Sequence, residues 1–198
     1  MIHGNIPMIG QFGNRSIDQI ERISPTIKSR CQIFNFFPVN KKEIIDHLDK
    51  ISSKGNHNQL LANLAQGRPG MAIKFMTHPD LLEKHNQHTA LLLDLFGQDI
   101  SERFKSLEKY TKKDFQANIE EAGILLDNWI LALRDTALVK NLSGHYIANE
   151  NFKNDFENLN TLGNRQIVKI INLMMAAKNY LAQNINPKLV LENLVLNL

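Results

Sequence analysis

The sequence lacks the features that mark disulfide-bonded, secreted and membrane-spanning proteins. One cysteine among 198 residues excludes an internal disulfide and favours a reducing compartment. No apolar run approaches the ~18 residues that a transmembrane helix requires. The first residues also lack the basic start and continuous apolar centre of a signal peptide. These absences predict a cytoplasmic protein without a membrane partner.

Nucleotide-binding motifs are absent as well. The sequence contains no GxxxxGK[ST] loop, no GxGxxG loop and no apolar strand that ends in paired acids. We therefore expect no cofactor to be bound by this chain alone. The net charge is only +3, and the basic residues are spread along the chain. Because a nucleic-acid footprint needs basic residues clustered on one face, this charge permits but does not favour direct contact with DNA.

Helical periodicity dominates the chain after residue 40. Asn40 is a suitable N-cap, and Gly67 is a suitable residue just beyond a helix end. The spacing of apolar residues predicts three short helices within 39–79, with a polar loop at 52–58, and a larger helical bundle within 80–198. The sequence therefore predicts a mainly all-α fold.

The first 38 residues follow a different pattern. Residues 1–18 are rich in Gly, Asn and Pro and are expected to form a loop. Residues 32–37 (QIFNFF) are β-branched and aromatic, and Pro38 ends the run, so we expect a strand there. The segment 24–32 (SPTIKSRCQ) leads into this predicted strand.

Few side chains are candidates for chemistry. Arg30 could pair with a surface carboxylate or act on a bound anion. Cys31 has no cysteine–histidine partner motif, so we expect a small, half-buried residue and no nucleophile. His85 and His88 have the i, i+3 spacing of a helical metal pair, but no third ligand follows at a suitable spacing. We therefore expect two solvated histidines and no metal.

The segment 24–32 resembles a motif of clamp-loader subunits of the AAA+ class, in which Pro, Thr, an aliphatic residue, a basic residue, Ser, Arg and Cys lead into a strand. Further segments resemble the lid and collar helices of that class, and the resemblance extends over about residues 20–198. These segments are 64–72 (LAQGRPGMA), 127–140 (DNWILALRDTALVK) and 184–194 (NINPKLVLENL). Gly70 stands where ATP-hydrolysing clamp-loader subunits usually carry an arginine. This position makes the chain most similar to the delta-prime subunit family of bacterial DNA polymerase III.

The resemblance implies three parts. Residues 1–38 would be a short remnant of an AAA+ nucleotide-binding-type α/β domain, 39–79 a three-helix lid, and 80–198 a helical collar for oligomerisation. In the family a full nucleotide-binding-type domain precedes the motif, whereas 23 residues precede Ser24 here. The resemblance therefore implies a C-terminal fragment, a truncated reading frame or a deliberately shortened chain.

The resemblance also implies a function. The chain would be a subunit of the DNA polymerase III clamp loader, with the gamma/tau and delta subunits as partners, and it would reach the sliding clamp and primer–template DNA indirectly. Arg30, supported by Ser29 and Cys31, would act in trans on ATP held by a neighbouring subunit. The chain has no self-contained active site, so any enzymatic activity would belong to the holoenzyme. Two alternatives are a gamma/tau-type ATPase subunit and a stand-alone helical adaptor.

Overall fold

The computed structural model describes residues 24–32, 34, 36–52, 55–110, 115–141, 143–159 and 162–198. These residues are mainly helical, which confirms the all-α prediction. The chain divides between Phe37 and Pro38 into two compact units. A search of the helices in the described ranges finds none with the length and apolarity needed to cross a membrane. The predicted loop at 1–18 lies outside the described residues.

Ten α-helices occur in the described part of the chain, joined in places by short 3₁₀ helices. The α-helices are α1 (Pro25–Lys28), α2 (Lys41–Ile51), α3 (Gly55–Ala65), α4 (Pro69–Thr77), α5 (Pro79–Gly97), α6 (Ile100–Leu107), α7 (Phe115–Lys140), α8 (Lys153–Asn158), α9 (Asn164–Ala182) and α10 (Pro187–Val195). The 3₁₀ helices are Glu108–Tyr110, Gly144–Tyr146 and Glu150–Phe152.

The strand predicted at 32–37 is not found among the residues of that run that the structure describes. Gln32, Phe34, Phe36 and Phe37 have no regular structure, and all four are exposed. A strand needs a neighbouring strand for its backbone N–H and C=O groups. No described residue forms such a neighbour, so the β-branched and aromatic composition alone does not produce a strand.

The helices α2, α3 and α4 form a small bundle whose ends follow the predicted capping. The side chain of Asn40 accepts a hydrogen bond from the Lys42 backbone N–H at 2.9 Å, which fixes the start of α2. Ile44 and Leu48 on α2 pack into a shared apolar cluster with Leu61 on α3. The prediction of three short helices within 39–79 is therefore confirmed. The role of these helices as a lid remains a prediction.

Gly67 makes the sharp turn between α3 and α4 possible. Its φ is +78°, a left-handed conformation that favours glycine. A Cβ atom added there would lie 2.5 Å from the Cβ of Pro38, so the position also has no space for a side chain. The Gly67 carbonyl accepts a hydrogen bond from the Val39 N–H at 2.8 Å. This turn therefore ties the start of the second unit to the end of α3.

The prediction of a polar loop at 52–58 is wrong for residues 55–58, because α3 already begins at Gly55. Asn58 is completely buried in α3. Its side-chain N–H groups donate to Asp49 Oδ1 and to the Ser52 carbonyl, both at 2.6 Å. These partners replace water, so a polar sequence forms a buried helical turn.

The long helix α7 is the centre of the second apolar cluster, which covers most of 91–198. It runs unbroken through Gly123, and Leu126, Trp129 and Leu133 on its inner face are completely buried. The other buried side chains of this cluster come from α5, α6, α8, α9 and α10 and from the 3₁₀ helix Glu108–Tyr110. The proposed division between 39–79 and 80–198 remains a prediction.

One arginine, on α6, joins the C-terminal ends of two other helices in this bundle. The Arg103 guanidinium donates to the carbonyls of Leu95 at 2.9 Å, Gln98 at 3.1 Å and Val195 at 2.9 Å. The carbonyls at a helix C-terminus lack intrahelical partners and carry partial negative charge. Arg103 therefore satisfies the ends of α5 and α10 together.

Candidate functional site

The Ser-Arg-Cys turn, residues 29–31, follows α1 directly. The Arg30 N–H donates to the Ile27 carbonyl at 3.1 Å, and the Cys31 N–H donates to the Lys28 carbonyl at 3.2 Å. The Ser29 hydroxyl donates to the Thr26 carbonyl at 3.1 Å. The turn is therefore held by local hydrogen bonds to the preceding helical turn.

All three side chains of the Ser-Arg-Cys turn are exposed. Among the described residues, none forms a hydrogen bond or ion pair with the Arg30 guanidinium, so it is accessible to another molecule. The prediction that Cys31 is half-buried is wrong, because its side chain is exposed. Neither Ser29 nor Cys31 contacts the guanidinium through a hydrogen bond in this structure. Their proposed supporting role stays a prediction.

The turn into α4 contains Arg68 and Gly70, two residues of the segment 64–72 on which the resemblance to clamp-loader subunits partly rests. Arg68 bends back so that its Nε donates to the Ala65 carbonyl at 3.2 Å. Gly70 lies in the first turn of α4, and a Cβ atom added there would meet nothing within 4 Å. Packing therefore does not require glycine at this position.

The two histidines predicted to be solvated are buried, and that prediction is wrong. His85 is 4% exposed and His88 is 1% exposed, because the face of α5 that carries them packs against α7. A buried imidazole needs partners for its ring nitrogens. Asn128 and Asn149, both distant in sequence, supply most of them. Together with Asp135, which binds Asn149, these amides and the histidines form what we call the buried polar network.

Asp135 organises one end of the buried polar network. Its Oδ2 accepts three hydrogen bonds, from the Ala148 N–H at 3.0 Å, the Asn149 N–H at 2.8 Å and the Asn149 side-chain Nδ2 at 2.8 Å. Because Nδ2 of Asn149 faces Asp135, Oδ1 of Asn149 faces His85 and accepts from its Nε2 at 2.6 Å. Asp135 thus fixes the orientation of Asn149 and the proton on His85 Nε2.

Asn128 connects the two histidines at the other end of the network. Its side-chain amide lies 3.0 Å from Nδ1 of His85 and 2.8 Å from Nδ1 of His88. The His88 carbonyl accepts from the indole N–H of Trp129 at 2.8 Å. Nε2 of His88 is buried and has no hydrogen-bond partner among the described residues. Every other ring nitrogen of the two histidines has a side-chain amide atom within hydrogen-bond distance: Oδ1 of Asn128 and of Asn149 beside His85, and Nδ2 of Asn128 beside Nδ1 of His88.

Burial shifts the pKa values of the groups in and beside this network. Burial, with a smaller contribution from the positive charge of Lys84, lowers the pKa of His88 from 6.5 to about 4. Burial also raises the pKa of the Asp135 carboxyl, against the opposing effect of the N–H groups that it accepts. The pKa of Tyr110, whose ring packs edge-on against His88, is raised to about 12, again mainly by burial.

The described residues contain no group of three or more His, Cys, Asp or Glu side chains that could hold a metal ion. His85 and His88 are instead bound to amides, with an aromatic ring against each: Phe75 beside His85 and Tyr110 beside His88. The network joins α5, α7 and the segment before α8. Its chemistry is that of a structural connector.

Comparisons with protein-family models, with curated proteins and with solved structures find no match to this chain.

Proposed function

We propose that this chain is a clamp-loader subunit of the delta-prime type, which assembles through its helices and supplies Arg30 to ATP on a neighbouring subunit. The observation that carries this proposal is the 24–32 motif together with the position of its arginine. Arg30 lies on an exposed turn and has no partner among the described residues. The guanidinium is therefore free to reach an anion on another chain.

The chemistry of an arginine explains why this residue suits the role. Its guanidinium is always charged and planar, and it presents paired N–H donors to phosphate oxygens. In ATP hydrolysis, water attacks the γ-phosphorus and the bond to the β–γ bridging oxygen breaks. Arg30 would form no covalent bond and would stabilise the charge on the phosphoryl oxygens in the transition state. Where it has been measured, such an arginine raises the rate of hydrolysis by a factor of about 10³ to 10⁵.

Gly70 supports the delta-prime type over the gamma/tau type. Because space for a side chain exists there, packing in this chain does not require glycine in place of arginine. Without that arginine, the chain would lack the lid residue that contacts ATP in the hydrolysing subunits. Its contribution would then be made across the subunit boundary.

The first test is assembly and hydrolysis with the bacterial gamma and delta subunits. We expect the chain to co-elute with them in a ring-sized complex and Arg30→Ala to leave that complex intact. DNA-stimulated ATP hydrolysis at the site facing Arg30 should fall by at least about 10-fold. Arg30→Lys should remain impaired, because lysine keeps the charge but loses the paired donors.

Arg165→Ala is the matched control, since it removes an exposed arginine from the start of α9. It should leave hydrolysis unchanged. Unchanged hydrolysis in an assembled Arg30→Ala complex would overturn the trans-acting role of Arg30. Failure of the unmodified chain to co-elute would overturn the clamp-loader assignment and favour the stand-alone adaptor.

A further inference from the structure

A cavity of about 430 Å³ opens between α2, α3 and α7 and the segment that follows α7. This volume is within the range of small-molecule sites, about 300–1,000 Å³. Its walls contain two cations, two amide side chains, an aromatic ring and a small apolar surface. The lining residues are Lys41, Ala62, Asn63, Gln66, Gly67, Arg134, Tyr146, Ile147 and Ala148.

The charge of the cavity wall has one sign. Among the described residues that line it, Lys41 and Arg134 are the charged ones and none is a carboxylate. Lys41 is exposed and makes no hydrogen bond or ion pair with the described residues. The carboxylate of Glu150, which is not among these lining residues, accepts a hydrogen bond from Nδ2 of Asn63 at 2.7 Å. The cavity therefore favours an anion.

Arg134 is held at the cavity wall by a buried group. One of its terminal nitrogens lies 3.6 Å from Oδ1 of Asp135, a side chain that is completely buried. The Arg134 side chain as a whole is 48% exposed. One side of the guanidinium thus faces its carboxylate, and the exposed part remains available to a ligand.

The cavity wall is preorganised by hydrogen bonds that lie behind it. Asp135 accepts from the backbone N–H groups of Ala148 and Asn149, which fixes the segment carrying Ile147 and Ala148. On the opposite side, the left-handed turn at Gly67 is closed by the Val39 N–H. A rigid wall reduces the ordering cost that a ligand would meet on binding.

We propose that this cavity binds a small organic phosphate, with the phosphate between Lys41 and Arg134. Arginine binds phosphate oxygens through paired N–H groups and lysine binds them as a point charge. The apolar side chains of Ala62 and Ile147 and the ring of Tyr146 would contact the organic part of the ligand. This site is independent of Arg30 and does not rest on the clamp-loader proposal.

Phenyl phosphate is a suitable probe, because it combines a phosphate with a flat apolar ring. We expect saturable 1:1 binding by calorimetry at low salt, and tighter binding of phenyl phosphate than of inorganic phosphate. Phenol, which has the ring without the charge, should not bind detectably. Added salt should weaken the binding, since both cations are partly exposed to solvent.

Arg134→Gln and Lys41→Gln should each weaken phenyl phosphate binding by about 10-fold, the usual worth of one hydrogen bond to a charged group. Lys188→Gln, which removes an exposed lysine on α10, is the control and should have no effect. Circular dichroism would verify that each variant keeps its helices. Absence of saturable binding, equal binding of phenol, or an equal loss in Lys188→Gln would overturn the proposal.

Discussion

The Ser-Arg-Cys turn and the buried polar network both contain side chains suited to chemistry, but different forces hold them. The turn is exposed and depends on hydrogen bonds to residues three or four positions earlier. In the network, side chains from α5 and α7 and the Asn149 backbone are joined across sequence separations such as the 64 residues between His85 and Asn149. Exposure leaves Arg30 free to act on another molecule, whereas burial commits the histidines to the fold.

The largest effect should come from removing the carboxylate at the end of the network. Asp135→Ala would leave the Ala148 N–H and the Asn149 backbone and side-chain N–H groups without their acceptor. Unsatisfied buried donors are costly, so we expect a loss of about 3 kcal/mol in the free energy of unfolding. Urea denaturation followed by circular dichroism would measure it.

Asp127→Ala is the matched control, because Asp127 lies on the same helix but is exposed and pairs with the partly exposed Lys178. An exposed ion pair contributes at most about 1 kcal/mol, so this change should be small. Equal losses in the two variants would mean that Asp135 does not organise the network.

A second effect should appear as the pH is lowered. The pKa of His88 is about 4 in the folded protein and 6.5 ordinarily, so between these values the unfolded chain binds more protons. The free energy of unfolding should therefore fall as the pH decreases from 6.5 towards 4, by at most about 1.4 kcal/mol per pH unit from this group. Lys84, His85, Lys109 and Glu121 are the charged or titratable neighbours that act on it.

His88→Gln isolates this contribution, because glutamine does not titrate. The raised pKa of Asp135 acts in the opposite direction, since burying its ionised form costs stability at higher pH. The difference between the unmodified protein and His88→Gln, measured by urea denaturation at several pH values, cancels that effect. Parallel pH dependence of the two proteins would contradict the assignment to His88.

The smallest effect on stability is expected from the turn. Arg30→Ala removes an exposed side chain that has no partner among the described residues, so the free energy of unfolding should change by less than about 0.5 kcal/mol. Thermal denaturation of the two proteins would measure the difference. A decrease of about 2 kcal/mol or more in the free energy of unfolding, as expected for a buried group, would show that Arg30 has a structural role. The turn would then not differ from the buried polar network in this respect.

Local signals in the sequence were sufficient for some helix ends. Asn40 and Gly67 act at the positions where their side chain or backbone conformation predicts a start or an end. Such residues determine the conformation or hydrogen bonding of the backbone beside them. Their effect can therefore be deduced from a few neighbouring residues in the sequence. The apolar spacing likewise predicted the helices within 80–198, of which α7 is the longest.

The buried polar residues could not be predicted in the same way. His85 and His88 resemble surface histidines until α7 and residue 149 bring amides to their ring nitrogens. Asn58 is buried because Asp49 and the Ser52 carbonyl accept its N–H groups. Whether a polar side chain is buried depends on partners that only the folded chain provides.

The hydrogen bond from Arg103 to the Val195 carbonyl has a consequence for the order of folding. It joins residues 92 positions apart in the chain, and contacts of such separation form only after a large loss of chain entropy. With nine residues, α10 is too short to be stable alone. Its docking onto α6 and α9 therefore depends on the earlier helices being in place, so protection of the α10 amides from hydrogen exchange would report completion of the whole bundle.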